Sequence, residues 1–314
     1  MISRRLLRIK VLQILYSYFQ KDDRSIPKSE KELFYSINKT HELYIYLLLL
    51  IIDIVEYAGS IIELGKHKHI RSHEDTHPNT RFIDNKLVDI LKNDEDFLKY
   101  ISVYKLSWAD NYELVKNIYR SFSKSEVYNN YMNLENCDFK ADKYLILDLL
   151  DVEFLNNELL HQTLEEKNIY WNDDLEFVVS IIQKALKKLK PDSKKFIPEL
   201  FKDKEDKKYA RDLFRMSVLN YDTNMTLIEK YTDNWDIERI AFMDIIIMQL
   251  AITEIIEIKS IPVKVSLNEY IEISKYYSTL KSSIFINGIL DKIILFLREN
   301  KKINKTGRGL IGEI

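Results

Sequence analysis

Six glycines and five prolines are all the strong backbone breakers that this chain of 314 residues contains. A sandwich or barrel needs a turn signal roughly every 8–12 residues, so such folds are poorly served here. Long helices are favoured instead. Hydrophobic residues make up 46% of the chain and charged residues 31%, a balance that buries a core and does not resemble a disordered polymer. No strand-like alternation runs for more than a few residues, and no repeat of fixed period occurs. The expected fold class is all-α.

Helical periodicity first predicts a helix over about 3–20, with Ile9, Leu12, Tyr16 and Phe19 on one stripe that Leu15 widens. Ser29 and Glu32 form a capping-box pattern that opens a long helical stretch ending near Gly65. Within it, Tyr44 to Val55 is apolar but carries Asp53. At about a dozen residues it falls short of the roughly 20 needed to span a bilayer, and reads as a core segment. Residues 66–82 read as a polar loop. Helices are predicted at 84–92, 94–106 and 110–121, from Ser123–Glu126, twice within 139–168, and at 173–189 before Lys190-Pro191. Further helices follow at 204–219, up to Tyr231 with Asp222 or Thr223 as cap, and after Asn234. The last are 263–277 behind Pro262 and, past a loop at 278–282, 283–299. The tail carries Arg298, Lys301, Lys302, Lys305 and Arg308 against Glu299, a net of +4, and is expected to be flexible.

The formal charge of −2, from 47 basic and 49 acidic residues, does not itself suggest a polyanion ligand, so any such site must arise by local segregation. Arg4, Arg5, Arg8 and Lys10 supply one candidate. Cations at a helix N-terminus oppose the macrodipole, a cost that phosphates would reverse, although a solvated helix end is the plainer reading. His67, His69, His73 and His77 suggest a metal site, but they lie in a stretch without an apolar stripe to hold ligands rigid. No metal or other cofactor is expected. No Gly-rich phosphate loop or GxSxG elbow exists, and the lone Cys137 has no motif around it, so no enzymatic activity is expected. Without a signal peptide, the expected location is the cytoplasm.

Four blocks near the C-terminus resemble the NusB family. They begin at Asp236 (DIERIAFMD), Leu250 (LAITEI), Ile261 (IPVKVSLNEYIEISK) and Phe285 (FINGILDKI), in the family's order and spacing. Residues 209–231 are similar to its second and third helices, and the arginine-led stretch from Arg4 to its first. The resemblance implies an all-α, NusB-like pair of three-helix bundles with an additional helical insert. The first helix would be 1–20, the insert of unread role 21–204, the rest of the first bundle 205–233, the second bundle 234–300 and a basic tail 301–314.

It further implies an RNA-binding transcription antitermination factor for boxA-type ribosomal-RNA leader transcripts. The implied partners are single-stranded leader RNA, the ribosomal protein NusE and the RNA polymerase antitermination complex, with no membrane; a homo-oligomer is also allowed. Arg4, Arg5, Arg8, Lys10, Gln13, Lys281 and Phe285 would meet RNA, while Tyr16, Glu238 and Arg239 would face the protein partner. Lys281 departs from the acid that family members carry in the loop before Phe285, which implies tighter phosphate binding with looser discrimination. Asn287-Gly288 interrupts a helical pattern and is read as serving close helix packing. Asn268, Glu269 and Glu272 fit either a partner surface or a solvated face. A helical protein–protein adaptor without RNA binding stands as the alternative function.

Overall fold

The computed structural model describes residues 2–193, 197–201, 203–232 and 240–311, and among these it is all-helical, with no strand. The α-helices are α1 (Arg4–Gln20), α2 (Ile26–Lys66), α3 (His73–Thr76), α4 (Lys86–Lys92), α5 (Glu95–Tyr104), α6 (Tyr112–Phe122), α7 (Glu126–Met132) and α8 (Phe139–Leu149). They continue as α9 (Glu158–Lys167), α10 (Leu175–Lys188), α11 (Lys204–Leu219), α12 (Tyr221–Tyr231), α13 (Phe242–Glu257), α14 (Val263–Tyr277) and α15 (Leu280–Glu299). The chain divides into two compact units, one of residues 38–200 and one of residues 2–37 with 201–314, and the division falls inside α2.

In the first unit the core gathers around α2. Residues Leu43 to Val55 are almost wholly covered, along with Trp108, Phe122, Phe154, Trp171 and Ile182 from later helices. Tyr46 stacks on Trp108 at 3.9 Å between ring centroids, and the Trp108 indole donates to the Tyr46 carbonyl at 2.9 Å. The helix that carries the apolar run is far longer than the run itself. By length and composition α2 carries a stretch that could cross a membrane, yet most of that apolar stretch is buried. Ser29 does not cap it. The helix starts three residues earlier, with Pro27 in the first turn, and Ser29 is buried within it.

In the second unit α1 packs on α11, α12 on α13 and α15, and α14 on α13 and α15. Helix α13 packs against each of the other five. That placement explains its composition: a helix apolar all round is a core helix, and every residue from Asp244 to Ile255 is buried. Helix α15 turns Ile286, Ile289, Leu290, Ile293 and Leu297 inward, as the periodicity predicts. Residues 26–37 of α2 join this unit through Leu33 and Ile37, and Glu30 holds both Arg211 (2.8 Å) and Arg215 (2.6 Å) of α11.

Two further readings of the sequence need correction. Gly288 is not a packing glycine: it is exposed, and a Cβ placed there would meet nothing within 4 Å. Nor are residues 302–310 a free basic tail. The Lys305 ammonium donates to the Ile258 carbonyl at 3.0 Å, capping the end of α13, and the Thr306 amide bonds Lys259 O at 3.0 Å. Gly309 lies so close to the Lys259 carbonyl that an added Cβ would sit 2.1 Å from that oxygen.

Candidate nucleic-acid interface

Helix α1 starts at the N-cap Ser3, whose hydroxyl accepts from the Leu6 amide, and no acid occupies its first turn. The missing negative charge comes from other helices instead. Arg4 Nε bonds Asp206 Oδ1 of α11 at 3.0 Å, with the guanidinium over the Tyr209 ring. Arg5 grips Glu269 of α14 with two bonds, Nε to Oε2 at 2.9 Å and Nη2 to Oε1 at 2.8 Å. Arg8 makes the same fork on Glu254 of α13, at 2.9 and 2.7 Å.

The Arg8–Glu254 pair is the centre of this arrangement. The two side chains are 3% and 0% exposed. Glu254 also accepts from the hydroxyls of Tyr209 at 2.5 Å, Ser266 at 2.8 Å and Tyr270 at 2.9 Å, so its carboxylate is fully solvated by protein. Burial alone would raise the Glu254 carboxyl. The charge of Arg8 and the bonds from Arg8, Tyr209 and Ser266 outweigh it and hold the group below the ordinary glutamate range. Burial likewise disfavours the Arg8 cation, but Tyr209, Glu254 and Tyr270 reverse this and raise its pKa.

Two further contacts set the register of α1 against α14. Arg5 meets Glu269 and Gln13 Nε2 donates to the Tyr277 hydroxyl at 3.2 Å, the same sequence separation each time. The two bonds show α1 and α14 running in the same direction within side-chain reach, with Arg5 near one end and Tyr277 at the C-terminal end of α14. Just past that end lie Lys281, exposed, and Phe285, half-buried. Lys281 sits in the first turn of α15, which Thr279 caps, and not in a loop as the sequence suggested.

Of the seven expected RNA contacts, Arg4 and Arg5 keep side chains 36% and 42% exposed. Arg8 and Lys10 do not reach the surface; Lys10 is 1% exposed. Their expected role as direct RNA contacts is corrected accordingly: positive charge on α1 was read as surface charge, whereas folding internalises half of it. Tyr16 rests against Phe242, ring centroids 5.4 Å apart. Glu238 and Arg239 lie outside the described residues. Glu269 is engaged by Arg5 and Arg8, and Glu272 pairs with Lys275. His73 of α3 and His77, just past its end, stack at 4.9 Å, and no cluster of three or more potential metal ligands occurs among the described residues.

The feature that inspection of the sequence missed is Glu254. Its signal was present: one glutamate inside the apolar run from Ile245 to Ile256 is costly unless a cation reaches it.

The fold and the site together define an all-helical protein that presents an arginine-led helix on a buried ionic anchor. Comparison with known sequences refines this. The profile of the NusB family matches residues 149–295, a span that contains α9 to α14 and most of α15 but not α1. The transcription antitermination protein NusB of Salinibacter ruber is 43% identical over 113 residues, which covers 36% of this chain and 71% of that protein. The protein of the same name from Chloroherpeton thalassium is 39% identical over 120 residues, covering 38% and 57%. That from Alkaliphilus oremlandii is 38% identical over 92 residues, covering 29% and 67%. No solved structure matches. The chain belongs to the NusB family of transcription antitermination proteins.

Proposed function

We propose that the protein is a non-enzymatic, RNA-binding antitermination factor that engages boxA-type ribosomal-RNA leader transcripts together with NusE. The observation that carries this reading is the outward set of Arg4 and Arg5 above the buried Arg8–Glu254 anchor. A guanidinium has five N–H donors. Arg5 spends two on Glu269, which fixes the plane of its head and leaves the rest for a phosphate. Lys281, exposed in the first turn of α15, adds a third accessible cation, and half-buried Phe285 on the same helix is assigned the stacking role for an unstacked base. Tyr16, beside Phe242, is assigned to the NusE-facing side, with Glu238 and Arg239.

The test is a salt titration of boxA-like RNA binding, with and without NusE. Four phosphate contacts on α1 would give a slope of log K against log salt of roughly −3. With Arg8 and Lys10 internal, three contacts from Arg4, Arg5 and Lys281 give about −2. Arg4→Gln with Arg5→Gln should bring it to about −0.7, while stability changes by at most about 1 kcal/mol, because partly exposed ion pairs contribute little. A native slope near zero refutes the reading.

One observation favours the adaptor alternative. Each arginine of α1 already holds a carboxylate, so the helix is less cationic in the fold than in the sequence. On that reading the double variant leaves every interaction intact.

A further inference from the structure

The unit of residues 38–200 carries a second concentration of positive charge. Helix α10 ends in Lys184, Lys187, Lys188 and, just beyond it, Lys190, all exposed. Helix α8 is pinned to that end: Lys143 Nζ donates to the carbonyls of Lys187 and Leu189, each at 3.2 Å. Lys140, one turn earlier on α8, places its ammonium 5.9 Å from the centroid of the Tyr144 ring, which is 52% exposed.

Helix capping accounts for part of this and not for the rest. Cations in a last turn complement the macrodipole, and Lys143 already satisfies two terminal carbonyls. Lys184 lies a turn further back and Lys190 lies past the end. None of the four lysines from 184 to 190 has an ion-pair partner among the described residues. Some surface lysines elsewhere are paired, as in Lys66–Glu63 and Lys116–Glu113, and others such as Lys99, Lys124 and Lys264 are not among the described residues, but those are scattered, whereas these four fall within seven residues. Asp192 is the one acid between 184 and 193. In a chain of net charge −2, so many unneutralised like charges repel one another, a cost that a polyanion would reverse.

We infer that this patch is a second, sequence-tolerant contact for the phosphate backbone of single-stranded RNA, with Tyr144 as a stacking platform. The exposed Tyr144 ring, beside Lys140 and next in sequence to the Lys143 that reaches the end of α10, favours nucleic acid over an acidic protein surface, because a phenol face adds base stacking that a carboxylate-rich partner cannot use.

The test measures binding of a 12-nucleotide oligouridylate to the full chain carrying Arg4→Gln and Arg5→Gln, so that α1 contributes little and the outcome does not depend on the function proposed above. In that background, Lys→Gln at 184, 187, 188 and 190 should make the salt slope shallower by about 2–3, at about 0.7 per contact. Tyr144→Ala should weaken binding about 5-fold or more, and Tyr144→Phe should restore it. The matching Lys→Arg set, which keeps the charge, should bind like its parent and guards against a folding artefact. An unchanged slope in the Lys→Gln set overturns the inference. So does equal loss of oligouridylate and polyglutamate binding with Tyr144→Ala silent, which would mark an acidic protein as the occupant.

Discussion

Removing one partner of the Arg8–Glu254 pair is the sharpest available perturbation of the α1 anchor. In Glu254→Gln the volume and an acceptor oxygen survive, but the charge does not. Arg8, 3% exposed, is then left with only the longer 3.5 Å contact to Glu269, which Arg5 already holds, and the hydroxyls of Tyr209, Ser266 and Tyr270 lose a charged acceptor. Breaking a buried pair in this way costs about 3–5 kcal/mol, a large share of the roughly 5–15 kcal/mol by which domains are stable. Arg8→Met should cost a similar amount, since Glu254 would be stranded in turn. The double variant should be far less damaged than the sum of the two, with a coupling of about 2 kcal/mol or more.

The readout must separate the two units, because a global melt of such a chain is not two-state. Hydrogen exchange of peptides from α1, α13 and α14, compared with α8 and α10, does so: protection should fall in the first set alone. Acid should act in the same place. Glu254 has a folded pKa below its unfolded one, so its contribution is full above about pH 4.5 and is lost as pH falls towards the lowered value. Additive single-variant costs, or single variants with native protection in α1, would refute the claim that this pair anchors the helix.

Two other outcomes are expected. Gly288→Ala should stabilise α15 by about 1 kcal/mol, since the site is helical, exposed and sterically open; hydrogen exchange across α15 checks this, and a loss of protection contradicts it. Asp53, on α2, has its pKa raised to about 6 by burial and by Glu56, against the pull of Lys92. A raised carboxyl pKa favours the fold at low pH and costs stability as pH rises through about 6. Asp53→Asn should therefore stabilise the 38–200 unit at pH 7.5 by ~1–2 kcal/mol, discounted for partial exposure, and flatten its unfolding free energy between pH 4 and 7. A variant that keeps the native pH dependence would exonerate Asp53.

What the sequence showed and what it hid follow from the range of the forces involved. Helices α11 and α14 were legible to the residue, because caps and 3.6-residue periodicity are local. The tail, Gly288 and the start of α15 were misread, because their surroundings come from residues distant in the chain, such as Lys259 against Gly309. The charge on α1 is the instructive case. Cations at a helix start oppose the macrodipole, and the sequence left the relief open between phosphate and solvent. In the fold, relief comes first from Asp206, Glu254 and Glu269, which lie about 200 to 264 residues away and which periodicity cannot pair with α1. A polyanion must then bind to what is left: donors on Arg4 and Arg5 not spent on carboxylates. Those two arginines are oriented by their acids yet still accessible, whereas Arg8 has become structural. Burial thus divides the four basic residues of α1, and under the proposed RNA-binding function the division makes a prediction of its own: substituting Arg4 or Arg5 should change affinity without changing the fold, while substituting Arg8 should weaken affinity only as far as it loosens α1.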